Sequence, residues 1–117
     1  MAYFKESYMN RDIYQEPLVS RYTSKAMQQL FSEKKKFTTW RKCWIALAEA
    51  QYEFGLTDII TAEMLQEMRV NWDNIDYDIA AAKEREIRHD VMAHVYEFGL
   101  KCPKASGIIH LGATSQF

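Results

Sequence analysis

At 117 residues the chain is sized for one domain, and that length can remove roughly two-thirds of its unfolded surface from water without metal or disulfide staples. Fifteen basic against sixteen acidic residues leave a net charge of -1, so a nucleic-acid or anionic-lipid binder would need a local patch, not a whole-domain field. The longest apolar run, residues 43–48, is far short of the roughly 20 residues of a bilayer span.

Charges in the segment MAYFKESYMNR, where a secretory signal would be apolar, predict no export. Cys43 and Cys102 fit no zinc or redox spacing, so reduced thiols in a cytoplasmic protein are expected, with no membrane or nucleic-acid partner.

Only four glycines and two prolines, with no sustained alternation, predict an all-α fold. Residues 1–22 lack a sustained period and read as an extended arm that passes through Glu16-Pro17-Leu18-Val19-Ser20. Thr23 or Ser24 caps a first helix with Met27, Leu30 and Phe31 on one face, and the Lys34-Lys35-Lys36 run lies at its solvated C-terminal end. Phe37-Thr38-Thr39 is expected to break the chain before a second helix. That helix carries Trp40, Cys43, Trp44, Leu47, Ala50 and Phe54 at steps of three and four and stops at Gly55. Thr61 opens a third helix through Met64, Leu65 and Met68, and Asn71-Trp72-Asp73-Asn74 is a turn. A fourth starts after Asp76 or Asp78, presents Ile87, Val91, Val95 and Phe98, and ends at Gly99. Gly107, Gly112 and Thr114-Ser115 look like the entry to a further helix, and the pattern suggests a fragment.

On a continuous helix, at about 100° per residue, His89 points away from the apolar stripe, on the face of Arg85, Met92 and Tyr96. Two readings stay open for it: a solvated surface imidazole, or one member of a charged functional face with Arg88 and Asp90. His94 lies beside the stripe, with Asp90 one turn back, and reads as a partly buried, hydrogen-bonded histidine. Five residues separate His89 from His94, about 140° around a helix, so the two cannot share a metal ion and no structural metal is expected. His110-Leu111-Gly112-Ala113-Thr114-Ser115 could seat a carboxylate or phosphate on hydroxyls and free helix-start N–H groups, or could be ordinary capping. Ser20-Arg21-Tyr22 has no claim on function by pattern alone, and no phosphate loop, carboxylate pair or nucleophile with its base is visible.

These segments gain weight from their order. PLVSRY at 17–22, TWRKCW at 39–44 with LAEA at 47–50, RHDVMAHV at 88–95, and CPKA at 102–105 followed by GIIHLGATS at 107–115 closely resemble the N-terminal region of the adenylosuccinate lyase family in its animal-type form, over about residues 14–117. The resemblance implies a helical N-terminal domain of the fumarase and aspartase superfamily: arm 1–22, helical domain 23–111, and 112–117 as the start of the central bundle. It implies an enzyme that eliminates fumarate from adenylosuccinate and from succinylaminoimidazole carboxamide ribotide, as a homotetramer with composite sites and without metal or organic cofactor. By the same resemblance Arg21, Tyr22, Arg88, His89 and Asp90 contact substrate, His89 as a binding or proton-handling residue, and Thr114 and Ser115 hold a substrate carboxylate. His94 and His110 stay outside that set. The family's general-acid histidine, base serine and tetramer-building helices lie downstream of these motifs, so the 117 residues alone are expected to be inactive. The rival expectation is a noncatalytic helical module that binds the full-length enzyme.

Overall fold

The computed structural model describes residues 10–117, so the start of the expected arm lies outside the described residues. Among the described residues there are six α-helices, a 3-10 turn at Asn10–Asp12 and no strand, an all-α architecture. None of these helices is long and apolar enough to cross a membrane. The chain divides into two compact units, Met1–Lys35 and Lys36–Phe117.

The first unit contains α1 (Pro17–Arg21) and α2 (Lys25–Leu30). Residues 17–21 are therefore helical, not extended. Pro17 occupies the first helical position, where its missing N–H costs nothing, and the Glu16 carboxylate caps the Leu18 N–H at 3.2 Å. Ser24 caps α2 through the Met27 N–H at 3.1 Å, as the sequence predicts. Neither helix buries a side chain, and Met27, Leu30 and Phe31, expected to share one face, are exposed.

Helix α3 (Glu33–Glu53) runs unbroken through Phe37-Thr38-Thr39. The break falls earlier, at Phe31-Ser32, where the Ser32 hydroxyl accepts the Lys35 N–H at 3.1 Å. Lys34 to Lys36 thus begin a helix instead of ending one. The weak helix preference of the two threonines, a few tenths of a kcal/mol each, is outweighed by burial of Phe37, whose ring stacks on His94 at 3.8 Å. The buried stripe of α3 is Phe37, Arg41, Trp44, Ile45 and Ala48, while Cys43, Ala50 and Phe54 of the expected stripe are exposed. The helix ends at Gly55, as predicted. At φ +104° its N–H reaches the Tyr52 carbonyl at 3.1 Å, and Leu56 reaches Gln51 at 2.9 Å, the paired bonds of a Schellman cap.

Thr61 caps α4 (Ala62–Val70), and the turn at 71–73 leads to Asp76, which caps α5 (Tyr77–Ile87). The expected single fourth helix is two: α5 stops at Arg88, and α6 (Asp90–Lys101) starts after His89. Helix α6 continues past Gly99, whose missing Cβ lets Ser106 approach: a Cβ there would lie 3.2 Å from that of Ser106. Helices α5 and α6 pack on each other as a hairpin. Residues 102–117 form turns, and the expected helix start at Thr114-Ser115 does not become a helix among the described residues.

The core gathers Trp44, Ile45 and Ala48 of α3, Leu65 and Met68 of α4 and Phe98 of α6 with Ile60, Cys102, Ala105, Ile108 and Ile109 of the connecting segments. Each large apolar side chain buried there contributes roughly 1.5–3 kcal/mol. Glu67 holds the 102–111 segment by accepting the Lys104 and Ala105 N–H groups at 3.0 and 3.1 Å. Burial, and next the Glu67 carboxylate, push the Cys102 thiol up to about 11, so it stays protonated.

One buried ion pair crosses the core. Arg41 of α3 binds the Glu97 carboxylate of α6 with 1% and 0% of their side chains exposed. Arg41 Nη1 donates to the Asn71 and Asn74 carbonyls at 2.6 and 3.0 Å, Arg41 Nε is buried without a hydrogen-bond partner among the described residues, and the second Glu97 oxygen accepts the Asp76 N–H at 3.0 Å. Burial lowers the Arg41 pKa, opposed by Glu97. The pair ties α3, the 71–76 turn and α6 together at one end of the hairpin.

Candidate functional site

The other end of the hairpin opens onto a cavity of about 590 Å³ lined by Trp40, Glu84, Arg88, His89, Asp90, Val91, Ser115 and Gln116. A smaller one, about 190 Å³, adjoins it through Trp40, Val91, Ser115 and Gln116 and adds Cys43, Trp44, His110 and Phe117.

Local chemistry explains why Arg88, His89 and Asp90 meet there. Arg88 takes the left-handed conformation, φ +56° and ψ +44°, and its N–H closes on the Glu84 carbonyl at 2.7 Å, which ends α5. A non-glycine residue in that region is strained. His89 returns to extended backbone and caps α6, its Nδ1 accepting the Met92 N–H at 3.2 Å. Asp90 sits in the first turn, where a carboxylate suits the helix dipole, and its Oδ1 accepts the Val91 N–H at 2.8 Å. His89 is thus a helix cap, not a residue on the face of a continuous helix.

The facing wall comes from the C-terminal turns. His110 has φ +67°, its ring meets Trp44 edge-on at 6.0 Å, and its Nε2 lies 3.0 Å from the Thr114 carbonyl. Gln51 of α3 donates to the Leu111 carbonyl at 2.8 Å. These contacts hold Ser115 and Gln116 opposite the α5–α6 joint. Thr114 does not line the cavity; its hydroxyl accepts the Gln116 N–H at 3.3 Å.

Of the residues singled out in the sequence, the structure brings Arg88, His89, Asp90 and Ser115 to one cavity. Arg21 and Tyr22 belong to the first unit, both exposed, with the guanidinium 5.4 Å from the tyrosine ring centre. His94 is buried against Phe37 and edge-on to Trp40 at 5.8 Å, as its position beside the stripe predicts, but its Nδ1 finds no hydrogen-bond partner among the described residues. Burial first, then Arg41 and Lys36 against Asp90, lower its pKa to about 4, so it is neutral at physiological pH. Trp40, Glu84, Val91 and Gln116 line the larger cavity without having been singled out for it.

The lining carries one guanidinium against two carboxylates. This wall is therefore not an anion trap by charge; it offers directional donors on Arg88, His89 and Ser115 beside the indole of Trp40. No group of side chains among the described residues is arranged to hold a metal ion.

No protein-family model matches the chain. Among curated proteins it is 54% identical to the adenylosuccinate lyase of Schistosoma mansoni over 104 residues, 89% of this chain and 21% of that protein. It is 53% identical to that of Saccharomyces cerevisiae over 108 residues, 91% of this chain and 22% of the relative. The enzyme of Schizosaccharomyces pombe is 48% identical over 106 residues, again 22% of its length. The chain thus spans about a fifth of the length of the curated relatives it matches. Along about nine-tenths of its own length this all-helical chain is thus similar to curated adenylosuccinate lyases, with about half its residues identical to theirs.

Proposed function

We propose that this chain forms one wall of a composite lyase site that eliminates fumarate from adenylosuccinate, leaving AMP, and from succinylaminoimidazole carboxamide ribotide, in a cytoplasmic homotetramer. In the elimination a base removes the proton from the carbon beside a carboxylate. The electron pair is held as the aci-carboxylate and then forms the carbon–carbon double bond as the carbon–nitrogen bond breaks, and an acid protonates the departing nitrogen. One observation carries the reading: Arg88, His89, Asp90 and Ser115, distant along the chain, line a single cavity in a protein whose relatives bear that enzyme's name.

In this reading Arg88 and Ser115 donate to ligand oxygens, and Asp90 keeps the start of α6 in place. Because the local charge balance is acidic, the charge that captures a dianionic succinyl group comes from elsewhere in the assembled site, with Arg21, Tyr22 and Thr114 as this chain's further contributions. Base and acid are supplied by the rest of the enzyme, so the 117 residues bind but do not turn over.

The test follows the ultraviolet change of adenylosuccinate cleavage with the chain alone, and then with the remaining four-fifths of the yeast relative added as a separate polypeptide. No turnover alone and restoration on mixing is the expected result. Turnover by the chain alone at the rate of a full lyase overturns the division of labour, and a folded mixed complex without activity overturns the site.

A second reading, a helical module that docks on the intact enzyme without taking part in catalysis, draws on the exposed Leu18, Tyr22, Leu30 and Phe31 of the first unit. A stable complex with the intact enzyme in size-exclusion chromatography, with altered subunit stoichiometry, would favour it.

A further inference from the structure

His89 is the group in the cavity whose chemistry the backbone constrains. Its Nδ1 accepts the Met92 N–H at 3.2 Å as the cap of a 12-residue helix. An acceptor nitrogen carries no proton, so in the neutral ring the proton resides on Nε2. Nε2 has no hydrogen bond to any described residue, and His89 lines the larger cavity beside Arg88 and Ser115.

Two of the helix-start N–H groups of α6 are already bonded within the chain, and the ladder begins at the third. The Val91 N–H is taken by Asp90 Oδ1 at 2.8 Å, the Met92 N–H by His89, and the Ala93 N–H by the His89 carbonyl at 3.0 Å. A helix start with the Val91 and Met92 N–H groups taken in this way is a poor backbone seat for an anion. Recognition at this end of the hairpin falls to side chains.

We infer that the capping bond locks His89 in the tautomer with its proton on Nε2, and that the residue serves the site as a fixed hydrogen-bond donor to an oxygen of the bound ligand, not as the base that takes the proton from carbon. A neutral imidazole acting as a base needs a free ring nitrogen facing the substrate. Here the nitrogen without a proton is spent on the helix, and using it would uncap α6. The identity of the ligand oxygen, a succinyl carboxylate, rests on the reading above; the tautomer does not.

Two measurements test this. Long-range proton–nitrogen correlation NMR on the 15N-labelled chain at neutral pH, without ligand, reports which ring nitrogen carries the proton. A bare Nδ1 and a protonated Nε2 for His89 are expected; the opposite tautomer, or averaging between the two, overturns the lock. The second compares His89→Asn with His89→Gln in the mixed enzyme. Asparagine places an acceptor where Nδ1 caps the helix but cannot reach into the cavity, and glutamine places an N–H near the position of Nε2. His89→Asn is expected to keep α6 helical and lose on the order of 10²-fold in kcat, and His89→Gln to recover part of that loss.

Full activity in His89→Asn overturns the donor role. Full loss in a folded His89→Gln, with no recovery over asparagine, overturns it in favour of proton transfer. If mixing restores no activity at all, the enzyme reading fails while the NMR result still decides the lock.

Discussion

The α5–α6 hairpin is secured in opposite ways at its two ends. At the closed end the Asp76 N–H and the Arg41 guanidinium converge on a carboxylate that water does not reach, and the guanidinium in turn donates to two asparagine backbone carbonyls. At the open end a left-handed Arg88 and a histidine cap turn the chain between two helices in contact with solvent, and the side chains that line the cavity stand on that turn. A buried, ion-paired end allows the other to hold a strained residue and present donors that are not consumed by the fold. The first unit shows the contrast from another side, because its two helices are capped but bury nothing.

The largest expected effect strikes the closed end. Arg41→Met leaves Glu97 charged, buried and unpaired, which costs about 3–5 kcal/mol, read as a fall in the urea midpoint. Arg41→Met with Glu97→Leu should recover more than half of that loss, because no charge is then left inside; the Asp76 N–H still loses its acceptor, which keeps the recovery incomplete. A single variant that loses under 1 kcal/mol would mean that the closed end is not what fixes the hairpin.

Between the ends lies His94, and it sharpens the comparison through pH. Its pKa falls from 6.5 unfolded to about 4 folded, chiefly through burial. Above pH 6.5 the ring is neutral in both states and contributes no pH dependence. As pH falls from 6.5 towards 4 the unfolded chain takes up a proton that the folded chain refuses, so stability drops by about 3 kcal/mol across that window and levels off below it. Urea titrations at half-unit pH steps should show this limb in the wild type and not in His94→Phe. An identical limb in the variant would assign it to other groups.

Much of this was legible in the sequence, and the failures share a cause. Caps at Ser24 and Thr61, the stop at Gly55 and the turn after Val70 follow from local chemistry, and the structure has all of them. The expected stripe of α3 differs from the buried one because it leaves out Arg41, which the structure buries. A lone charge between Phe37 and Ile45 at steps of four was the available signal, but only its long-range partner Glu97 makes that burial tolerable, and periodicity cannot see a partner on another helix. The α5–α6 break was missed because Arg88 offers no glycine to announce a left-handed turn; the histidine three residues before Met92 was a cap in an unusual residue type. In the site, the RHD and GATS segments were visible as strings, whereas Trp40, Glu84 and Gln116 reach the cavity through tertiary placement alone.

At the open end, Arg88→Gly separates strain from function. Glycine adopts φ +56° freely, so the variant should gain up to about 1 kcal/mol against urea while activity in the mixed enzyme falls at least about tenfold with loss of the guanidinium contact. A variant that loses both stability and activity would show that Arg88 is a structural residue and that its conformation is not strained.

The smallest effect tests whether it is burial or charge that distinguishes the closed end. Arg69 of α4 and Glu49 of α3 also pair across two helices, with Arg69 Nε donating at 2.7 Å, but their side chains are 46% and 38% exposed. Water already solvates both partners, so joining them gains little Coulomb energy, and holding two flexible side chains in one geometry opposes it. Arg69→Ala should therefore cost no more than about 1 kcal/mol, and most of that should vanish in about 1 M salt, where screening acts within about 3 Å. Arg41→Met should keep nearly its whole penalty at the same salt, since the ions cannot enter the core. If the exposed pair instead proved as costly to break as the buried one and equally indifferent to salt, charge complementarity between helices would explain both, and the distinction between a sealed and an open end of the hairpin would lose its physical basis.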